Sequence, residues 1–235
     1  MKWISWFFCV CCALFAVSLP AVRLRPVRQV MGPGPTHSFT YVLDAGHGGE
    51  DGGASSESGS KESEINLSIT LKLDQLMGFC GQKTRLTRTD DRSIHDPDAR
   101  TIREKKVSDL RNRVKQVENT EDCLLVSIHQ NSFPDGKYRG AQVFYGHTAG
   151  SKPWGEATQE LLRVALATEN SRQAKPIPET VYLMNHVSCP ALLVECGFLS
   201  NREEARLLLD EGYQKKIAAA LTAACLTAYQ IDLTS

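Results

Sequence analysis

Short apolar segments alternate with longer segments of helical periodicity from residue 40 onward. Such alternation favours a parallel sheet with helices on both faces, because each connection between parallel strands must cross over the sheet. We therefore predict an α/β fold built on a mostly parallel, twisted sheet of about six strands. The segments with strand character are TYVLDAG (40–46), TRLTR (84–88), CLLVSIH (123–129), GAQVFYG (140–146), TVYLMN (180–185) and PALLVECGF (190–198).

Apolar residues recur at helical spacing in the segments between these strands. After the first strand, Ile65, Ile69 and Leu73 lie four positions apart. Ser200 followed by Glu203 has the pattern of a capping box, which predicts that Ser200 caps a helix. The predicted helices cover residues 62–77, 107–117, 154–168, 201–210 and 213–229.

The amino terminus differs from the rest of the chain. Residues 3–22 carry no charge and are numerous enough to cross a bilayer. We expect residues 1–22 to be a signal peptide or a membrane anchor, so that the protein is exported and, if the segment is retained, tethered. Residues 23–39 combine arginines with Pro and Gly and are predicted to be a linker. Residues 40–235 are then one catalytic domain, whose oligomeric state stays open.

Charge and cysteine content exclude two classes of site. Lys plus Arg and Asp plus Glu both number 27, so a nucleic-acid partner is not expected. The chain has eight cysteines but no CxxC pair, which argues against a thiolate zinc site. Three of them lie in the apolar amino-terminal segment. The other five are an odd number and lie mostly in apolar runs, so we expect small buried apolar side chains rather than a disulfide scaffold: Cys80, Cys123, Cys189, Cys196 and Cys225.

Three groups that can bind metal or move protons lie at or near strand ends. His47 follows the first strand, His129 ends the third, and Glu195 lies near the end of PALLVECGF. In open α/β sheets, ligands bind beyond the carboxyl ends of the strands. We therefore expect these three side chains to meet at one edge of the sheet.

The glycine-rich stretch around His47 allows three interpretations: a phosphate loop, a plain tight turn, or a turn that presents a metal ligand. No GK[ST] occurs, and Gly46, Gly48 and Gly49 do not keep the spacing of a dinucleotide fingerprint. The glycines instead give the backbone freedom and leave space beside the imidazole. Because His129 ends a second strand, we favour the metal interpretation.

A catalytic zinc site typically combines two histidines, one carboxylate and a water. Glu62 lies in the first turn of a predicted helix, where the helix dipole favours an ionised carboxylate, and is preferred on this ground to Glu64. We expect Asp44 to brace the loop rather than bind metal. The acidic residues considered near the loop are Glu50, Asp51, Glu57, Glu62 and Glu64.

Four motifs in order resemble those of the zinc-dependent N-acetylmuramoyl-L-alanine amidases: DAGHGGEDGGA, ESEINL, SIHQNS and VECGFLSN. The resemblance covers residues 40–230. It implies hydrolysis of the amide between N-acetylmuramic acid and the L-alanine of the stem peptide, with peptidoglycan as the substrate. It also implies that His47, Glu62 and His129 bind Zn²⁺ and that Glu195 is catalytic.

Zinc lowers the pKa of bound water to roughly 7 and polarises a carbonyl group. In this mechanism Glu195 takes the proton of the water as a general base and then delivers a proton to the departing nitrogen.

Two further stretches resemble the small spore-cortex branch of the same family: RGAQVFY and RQAKPIPETVYLMNHVSCPALLVECGFLSN. The amidases of this branch act in germination and help to make muramic δ-lactam, and a protein partner for targeting or activation is expected for them. His186 either faces the cleft or is a structural side chain. Arg139 either meets a substrate carboxylate or is a solvated loop charge.

Other functions stay open at this point. A zinc peptidase acting within the stem peptide would use the same ligands, and the identity of the product separates it from an amidase. A catalytically silent module that binds peptidoglycan would keep zinc, yet Glu195 is present. A nucleotide-binding domain lacks support, because no phosphate motif occurs.

Overall fold

The computed structural model describes residues 39–228. The predicted signal peptide or anchor (1–22), the linker up to residue 38 and the last seven residues lie outside the described residues. Within residues 39–228, no helix is long and apolar enough to span a membrane.

The described residues form a six-stranded sheet, as predicted. Its strands are β1 (Thr40–Ala45), β2 (Lys83–Leu86), β3 (Cys123–Asn131), β4 (Gln142–Tyr145), β5 (Lys175–Pro176) and β6 (Ala191–Phe198). They lie in the order β2-β1-β3-β6-β4-β5. Only the pairing of β4 with β6 is antiparallel among these strands, so the predicted mostly parallel α/β fold is confirmed.

Within the described part of the chain, six helices cover the two faces of the sheet. They are α1 (Glu62–Phe79), α2 (Ile102–Glu118), α3 (Ser151–Leu166), α4 (Tyr182–Asn185), α5 (Arg202–Leu209) and α6 (Glu211–Ala228). Successive residues of β3 point to opposite faces of the sheet, and each face has its own core cluster of buried residues. Leu124 and Val126 belong to the larger cluster, which includes residues of α1, α3 and α6. Leu125 belongs to the smaller cluster, which includes residues of α2 and α4. Both faces of the central strands are therefore buried, which explains their nearly continuous apolar sequence.

The prediction of a strand at TVYLMN is wrong, because residues 182–185 form the short helix α4. Asn185 stabilises this helical turn, because its side-chain amide donates hydrogen bonds to the carbonyl oxygens of Pro178 and Val181. Leu183 and Met184 pack on the smaller core cluster without joining the sheet. The strand expected here lies earlier in the chain, where β5 pairs with β4.

Two helix starts also differ from the prediction. The cap of α5 is Asn201 rather than Ser200: its side-chain oxygen accepts hydrogen bonds from the backbone N–H groups of Glu203 and Glu204, both at 3.1 Å. Ser200 instead accepts a hydrogen bond from the N–H of Phe133. Helix α2 begins at residue 102, five positions before the expected start, because Thr101 forms a capping box with Glu104 there.

The expectation of buried cysteines is confirmed for Cys123, Cys196 and Cys225. It is wrong for Cys80, which caps the exposed carboxyl end of α1. Cys189 is partly buried and lies just before β6.

The sheet brings the predicted site residues to one edge. Strands β1, β3 and β6 are adjacent and parallel, so their carboxyl ends point the same way. In the register of these strands, Asp44 lies opposite Ser127 and His129 lies opposite Glu195. His129 and Glu195 are therefore neighbours across the pair of β3 and β6. We call the edge of the sheet where β1, β3 and β6 end the functional edge.

Because α1 packs on the sheet, truncation of a buried side chain on its core face is expected to lower the stability of the protein strongly. Leu73 is fully buried, so we expect Leu73→Ala to lower the free energy of unfolding by about 3 kcal/mol through lost burial and a residual cavity. Leu226→Ala makes the same change at a side chain that is 37% exposed and should cost less than about 1 kcal/mol. Urea unfolding of both variants measures the difference, and equal costs would contradict this packing.

Candidate metal centre and active site

His47 lies on the loop after β1 with its backbone in the left-handed region, at a φ of 63°. The loop brings it so close to its neighbours that glycine is required nearby. A Cβ on Gly46 would lie 2.3 Å from the ring of His129, and one on Gly53 would lie 2.5 Å from Oε2 of Glu62. Their missing side chains create the space in which the polar groups meet, as the sequence pattern indicated.

Glu62, in the first turn of α1, is buried and held by backbone donors. The N–H of Ala54 donates to its Oε2 at 2.8 Å, and the N–H of Gln130 donates to its Oε1 at 3.1 Å. Burial alone would raise its pKa, but the hydrogen bonds from His129 and His47 hold the pKa of Glu62 below its usual range. The carboxylate is thus oriented and ionised.

Each of the three predicted ligands contributes one donor atom to a common cluster. One such atom each of His47, Glu62 and His129 lies within 4.8 Å of the other two. Nε2 of His47 is 3.3 Å from Oε2 of Glu62, and Nδ1 of His129 is 2.9 Å from Oε1. Ligand atoms about 2.0–2.1 Å from a tetrahedral zinc ion are roughly 3.3 Å apart. Each imidazole lies at about this distance from one oxygen of the Glu62 carboxylate, so the three side chains are close enough to share one ion.

The other acidic candidates have different surroundings. Glu64 is exposed although it shares the first turn of α1 with Glu62. Glu50 pairs with Lys105 at 2.6 Å, and Glu57 is exposed. Asp51 accepts from Nδ1 of His47 at 3.0 Å and therefore orients the imidazole from its far side.

Glu195 lies on β6 beside this cluster. Its Oε2 atom is buried and has no hydrogen-bond partner among residues 39–228. Burial raises the pKa of Glu195 to about 7. The carboxyl group lines a cavity of about 210 Å³ together with His47 and His129. An unpaired carboxyl group with this pKa, facing a cavity beside potential metal ligands, is suited to accept and return a proton.

Asp44 braces the loop, as expected. It is fully buried between the Arg113 guanidinium, 2.6 Å away, and the hydroxyl groups of Ser127 and Thr87, which donate at 2.6 and 2.8 Å. Burial would raise the pKa of this carboxyl, but Arg113 and the two hydroxyl groups lower it to about 2. Asp44 is therefore a structural anion whose oxygens are engaged by Arg113, Ser127 and Thr87.

Two buried arginines hold the backbone of the same loop, and sequence reasoning missed both. Arg113 donates to the carbonyl oxygens of Ala45 and His47 at 2.8 and 2.6 Å. Arg88 donates to those of Ala45 and Gly46 at 2.9 and 3.1 Å. One signal was available for Arg113: it lies four positions before Val117 and thus on the apolar face of α2.

Neither His186 nor Arg139 is among the residues that line the cavity beside this cluster. His186 is exposed, stacks on the ring of Tyr182 at 3.9 Å, and contacts the carbonyl oxygen of Tyr182 through Nδ1. Arg139 pairs with Glu169 at 3.4 Å and lines a separate surface groove. The solvated interpretation of Arg139 and the structural interpretation of His186 agree with these contacts.

The chain is similar to several known proteins. The family model described as N-acetylmuramoyl-L-alanine amidase matches residues 42–227. The germination-specific N-acetylmuramoyl-L-alanine amidase of Bacillus subtilis is 37% identical over 190 residues, which cover 80% of this chain and 78% of the relative.

Two solved structures are also similar. One is the CwlD amidase from Clostridioides difficile in complex with the GerS lipoprotein, with a TM-score of 0.79 and 40% identity, covering 82% of this chain and 99% of that chain. The other is the catalytic domain of CwlV, an N-acetylmuramoyl-L-alanine amidase from Bacillus (Paenibacillus) polymyxa. Its TM-score is 0.69 at 28% identity, covering 83% of this chain and 99% of that chain.

Removal of the cation from the buried pair of Asp44 and Arg113 is expected to destabilise the protein strongly. Arg113→Leu should lower the free energy of unfolding by about 3–5 kcal/mol, because it leaves the Asp44 charge buried without a counterion. The double variant Asp44→Asn/Arg113→Leu should recover part of this loss. Arg163→Leu, which removes an exposed pair with Glu160, is the matched control and should leave the unfolding midpoint in urea unchanged. Equal effects at the two arginines would contradict the anchoring role of Arg113.

Proposed function

We propose that this chain, which belongs to the N-acetylmuramoyl-L-alanine amidase family, hydrolyses the amide between N-acetylmuramic acid and L-alanine in peptidoglycan with a zinc ion held by His47, Glu62 and His129. The observation that carries the zinc dependence is the convergence of these three donors within 4.8 Å. Two imidazole nitrogens and one carboxylate oxygen form a set that leaves the fourth position of a tetrahedral zinc ion for water.

The surrounding residues hold the proposed ligands ready. Asp51 fixes the ring of His47 through its contact with Nδ1, which leaves Nε2 directed at the cluster. The backbone donors of Ala54 and Gln130 fix the carboxylate of Glu62. When bound, zinc supplies Lewis acidity toward the substrate carbonyl and lowers the pKa of a water molecule to roughly 7.

In this proposal Glu195 moves the protons of the reaction. As a carboxylate it takes one proton from the attacking water, so that the oxygen can add to the lactyl carbonyl carbon. It then returns this proton to the L-alanine nitrogen, so that the C–N bond breaks and a free amine departs. The buried, unpaired Oε2 of Glu195 supports this role, because a carboxylate engaged in a structural ion pair would have a partner.

The size and walls of the cavity support an extended substrate of which only the scissile region enters. The volume of about 210 Å³ is smaller than a typical pocket for a drug-sized ligand. Residues 181–184, around α4, form one wall, and Lys106 and Leu110 of α2 form another. The amide and its immediate neighbours fit this space, while the glycan strand and the rest of the stem peptide lie across the surface.

We place this activity in the maturation of the spore cortex, outside the cytoplasm. Removal of the stem peptide frees the lactyl carboxyl group from which a muramic δ-lactam is made. The similarity to a germination-specific amidase of Bacillus subtilis supports this role. In the proposed domain plan, residues 1–22 direct export or anchoring, 23–39 form a linker and 40–235 form the catalytic domain.

A protein partner for targeting or activation is part of the same proposal. The similar CwlD amidase was solved in complex with the GerS lipoprotein, which supports a partner of this chain at the membrane surface.

The two glutamates in the first turn of α1 provide a matched test of the zinc site. Glu62→Gln should lose bound zinc and activity, because it removes the anionic donor of the cluster. Glu64→Gln should keep both, because Glu64 is exposed. Zinc content is measured by elemental analysis after gel filtration. Equal zinc content in the two variants, with both folded by circular dichroism, would overturn the assignment of Glu62 as a ligand.

The proposed role of Glu195 predicts that a substitution at this position lowers the catalytic rate and leaves zinc binding intact. Glu195→Gln should retain zinc and lose roughly 10²–10⁴-fold in kcat, because the amide side chain cannot accept the proton. The protein with added zinc is incubated with purified peptidoglycan, and mass spectrometry follows the soluble products, with a chelator control. Stem peptides beginning at L-alanine are expected. Cleavage within the stem would indicate a peptidase, and an unchanged rate in Glu195→Gln would assign the proton transfer to another group.

A further inference from the structure

Two cysteine sulfurs meet on the sheet at the opposite end from the metal cluster. Sγ of Cys189 is 3.3 Å from Sγ of Cys123. Cys123 is the first residue of β3, and Cys189 lies two residues before the start of β6. A disulfide has a sulfur–sulfur distance of about 2.05 Å, so the two atoms need to approach by only roughly 1.2 Å to bond.

The backbone geometry at these positions also suits a disulfide. Strands β3 and β6 pair in parallel, with Leu125 opposite Ala191 and His129 opposite Glu195. The same register extended by two residues places Cys123 opposite Cys189. Neighbouring strands lie about 4.8 Å apart, and the Cα atoms of a disulfide are usually about 4.4–6.8 Å apart. The strand spacing expected at these positions therefore lies within the range of a disulfide.

The segment that carries Cys189 is fixed from both sides. The N–H of Leu125 donates to the carbonyl oxygen of Pro190 at 3.0 Å. The backbone N–H and the hydroxyl group of Ser188 both donate to the carboxylate of Glu118, at the end of α2. The two sulfurs are thus held against each other by neighbouring residues, which lowers the entropic cost of closing the bond.

We propose that Cys123 and Cys189 form a disulfide that fixes the register of β3 and β6. The bond goes beyond the proposed amidase function, and only its formation in the cell depends on the proposed export to a compartment where disulfides persist. The same strand register sets His129 opposite Glu195, so the crosslink stabilises the relative positions of a proposed zinc ligand and the proposed catalytic residue.

The bond forms by exchange with a disulfide-bearing oxidant. Cys189 is partly exposed and Cys123 is buried, so the oxidant reacts first with Cys189 and releases one thiol. The sulfur of Cys123 then attacks the Cys189 sulfur of this mixed disulfide and releases the second thiol. The protein loses two protons and two electrons, and the oxidant's disulfide is reduced to two thiols.

The crosslink should raise the thermal midpoint of the protein. The two cysteines lie 66 positions apart in sequence, so the bond removes much conformational freedom from the unfolded chain. We expect a rise on the order of 5–15 °C on oxidation.

The test uses the full-length chain, equilibrated overnight at pH 8 with reduced and oxidised glutathione in separate samples. Each sample is denatured, free thiols are alkylated, and peptides are identified by mass spectrometry. We expect a peptide pair that joins Cys123 to Cys189 in the oxidised sample, while the exposed Cys80 is recovered without a bond to either of them. Recovery of Cys123 and Cys189 as alkylated thiols, as glutathione adducts, or joined to other cysteines would overturn the proposal.

The midpoint of thermal unfolding is then compared with and without dithiothreitol. On reduction, the thermal midpoint of the wild type should fall by the amount that it gained on oxidation. The midpoint of the double variant Cys123→Ala/Cys189→Ala should not change. An unchanged midpoint in the double variant also shows that the effect of dithiothreitol on the wild type does not come from binding of zinc by the reductant. Cys225→Ala, which removes a buried thiol of the other core cluster, should respond like the wild type. A wild type that does not respond, or a double variant that responds equally, would contradict the stabilising bond.

Discussion

The buried guanidinium of Arg113 is the interaction on which the functional edge depends. Its side chain is only 2% exposed, and a charge at that depth is tolerated because its donors have partners. Asp44 and Asp109 neutralise it, and the carbonyl oxygens of Ala45 and His47 accept its remaining donors. A helix on one face of the sheet is thereby tied to the loop that ends β1. His47 keeps a left-handed backbone conformation, which costs roughly 1–2 kcal/mol, because these contacts and Arg88 leave the loop no relaxed alternative.

Two carboxylates near this loop have opposite surroundings, and the difference agrees with the roles proposed for them. Glu62 has a partner for each oxygen, from backbone N–H groups and from both imidazoles, and its pKa is held low. Glu195 has an oxygen that is buried without a partner, and burial raises its pKa to about 7. A ligand has to be ionised and immobile, whereas a proton carrier has to change its charge during each cycle. The surroundings of Glu62 at the start of α1 suit the first proposed role, and those of Glu195 on β6 suit the second.

Much of this arrangement could be predicted from the sequence because it depends on local pattern. The apolar runs of β1, β3 and β6 identify buried parallel strands, and the ends of those strands locate His47, His129 and Glu195. The prediction of a strand at 180–185 was wrong, because hydrogen bonds from Asn185 decide between strand and helix, and a short apolar run fits both. The roles of Arg88 and Arg113 depend on carbonyl groups distant in sequence, so composition and spacing cannot specify them. Only the position of Arg113 on an apolar helix face hinted at burial.

The pairing of β3 with β6 explains why the site lies where it does along the sheet. From Leu125 to His129 each residue of β3 faces the residue 66 positions later, but Asn131 faces Phe198, so the register shifts by one just after the site. Such an irregularity bends the strand and re-aims the following residues, which is common beside active sites. The regular part of the ladder therefore has to fix His129 against Glu195, since the part beyond them does not repeat its spacing. The proposed crosslink between Cys123 and Cys189 lies at the start of this same ladder, so it would hold the register that sets His129 opposite Glu195.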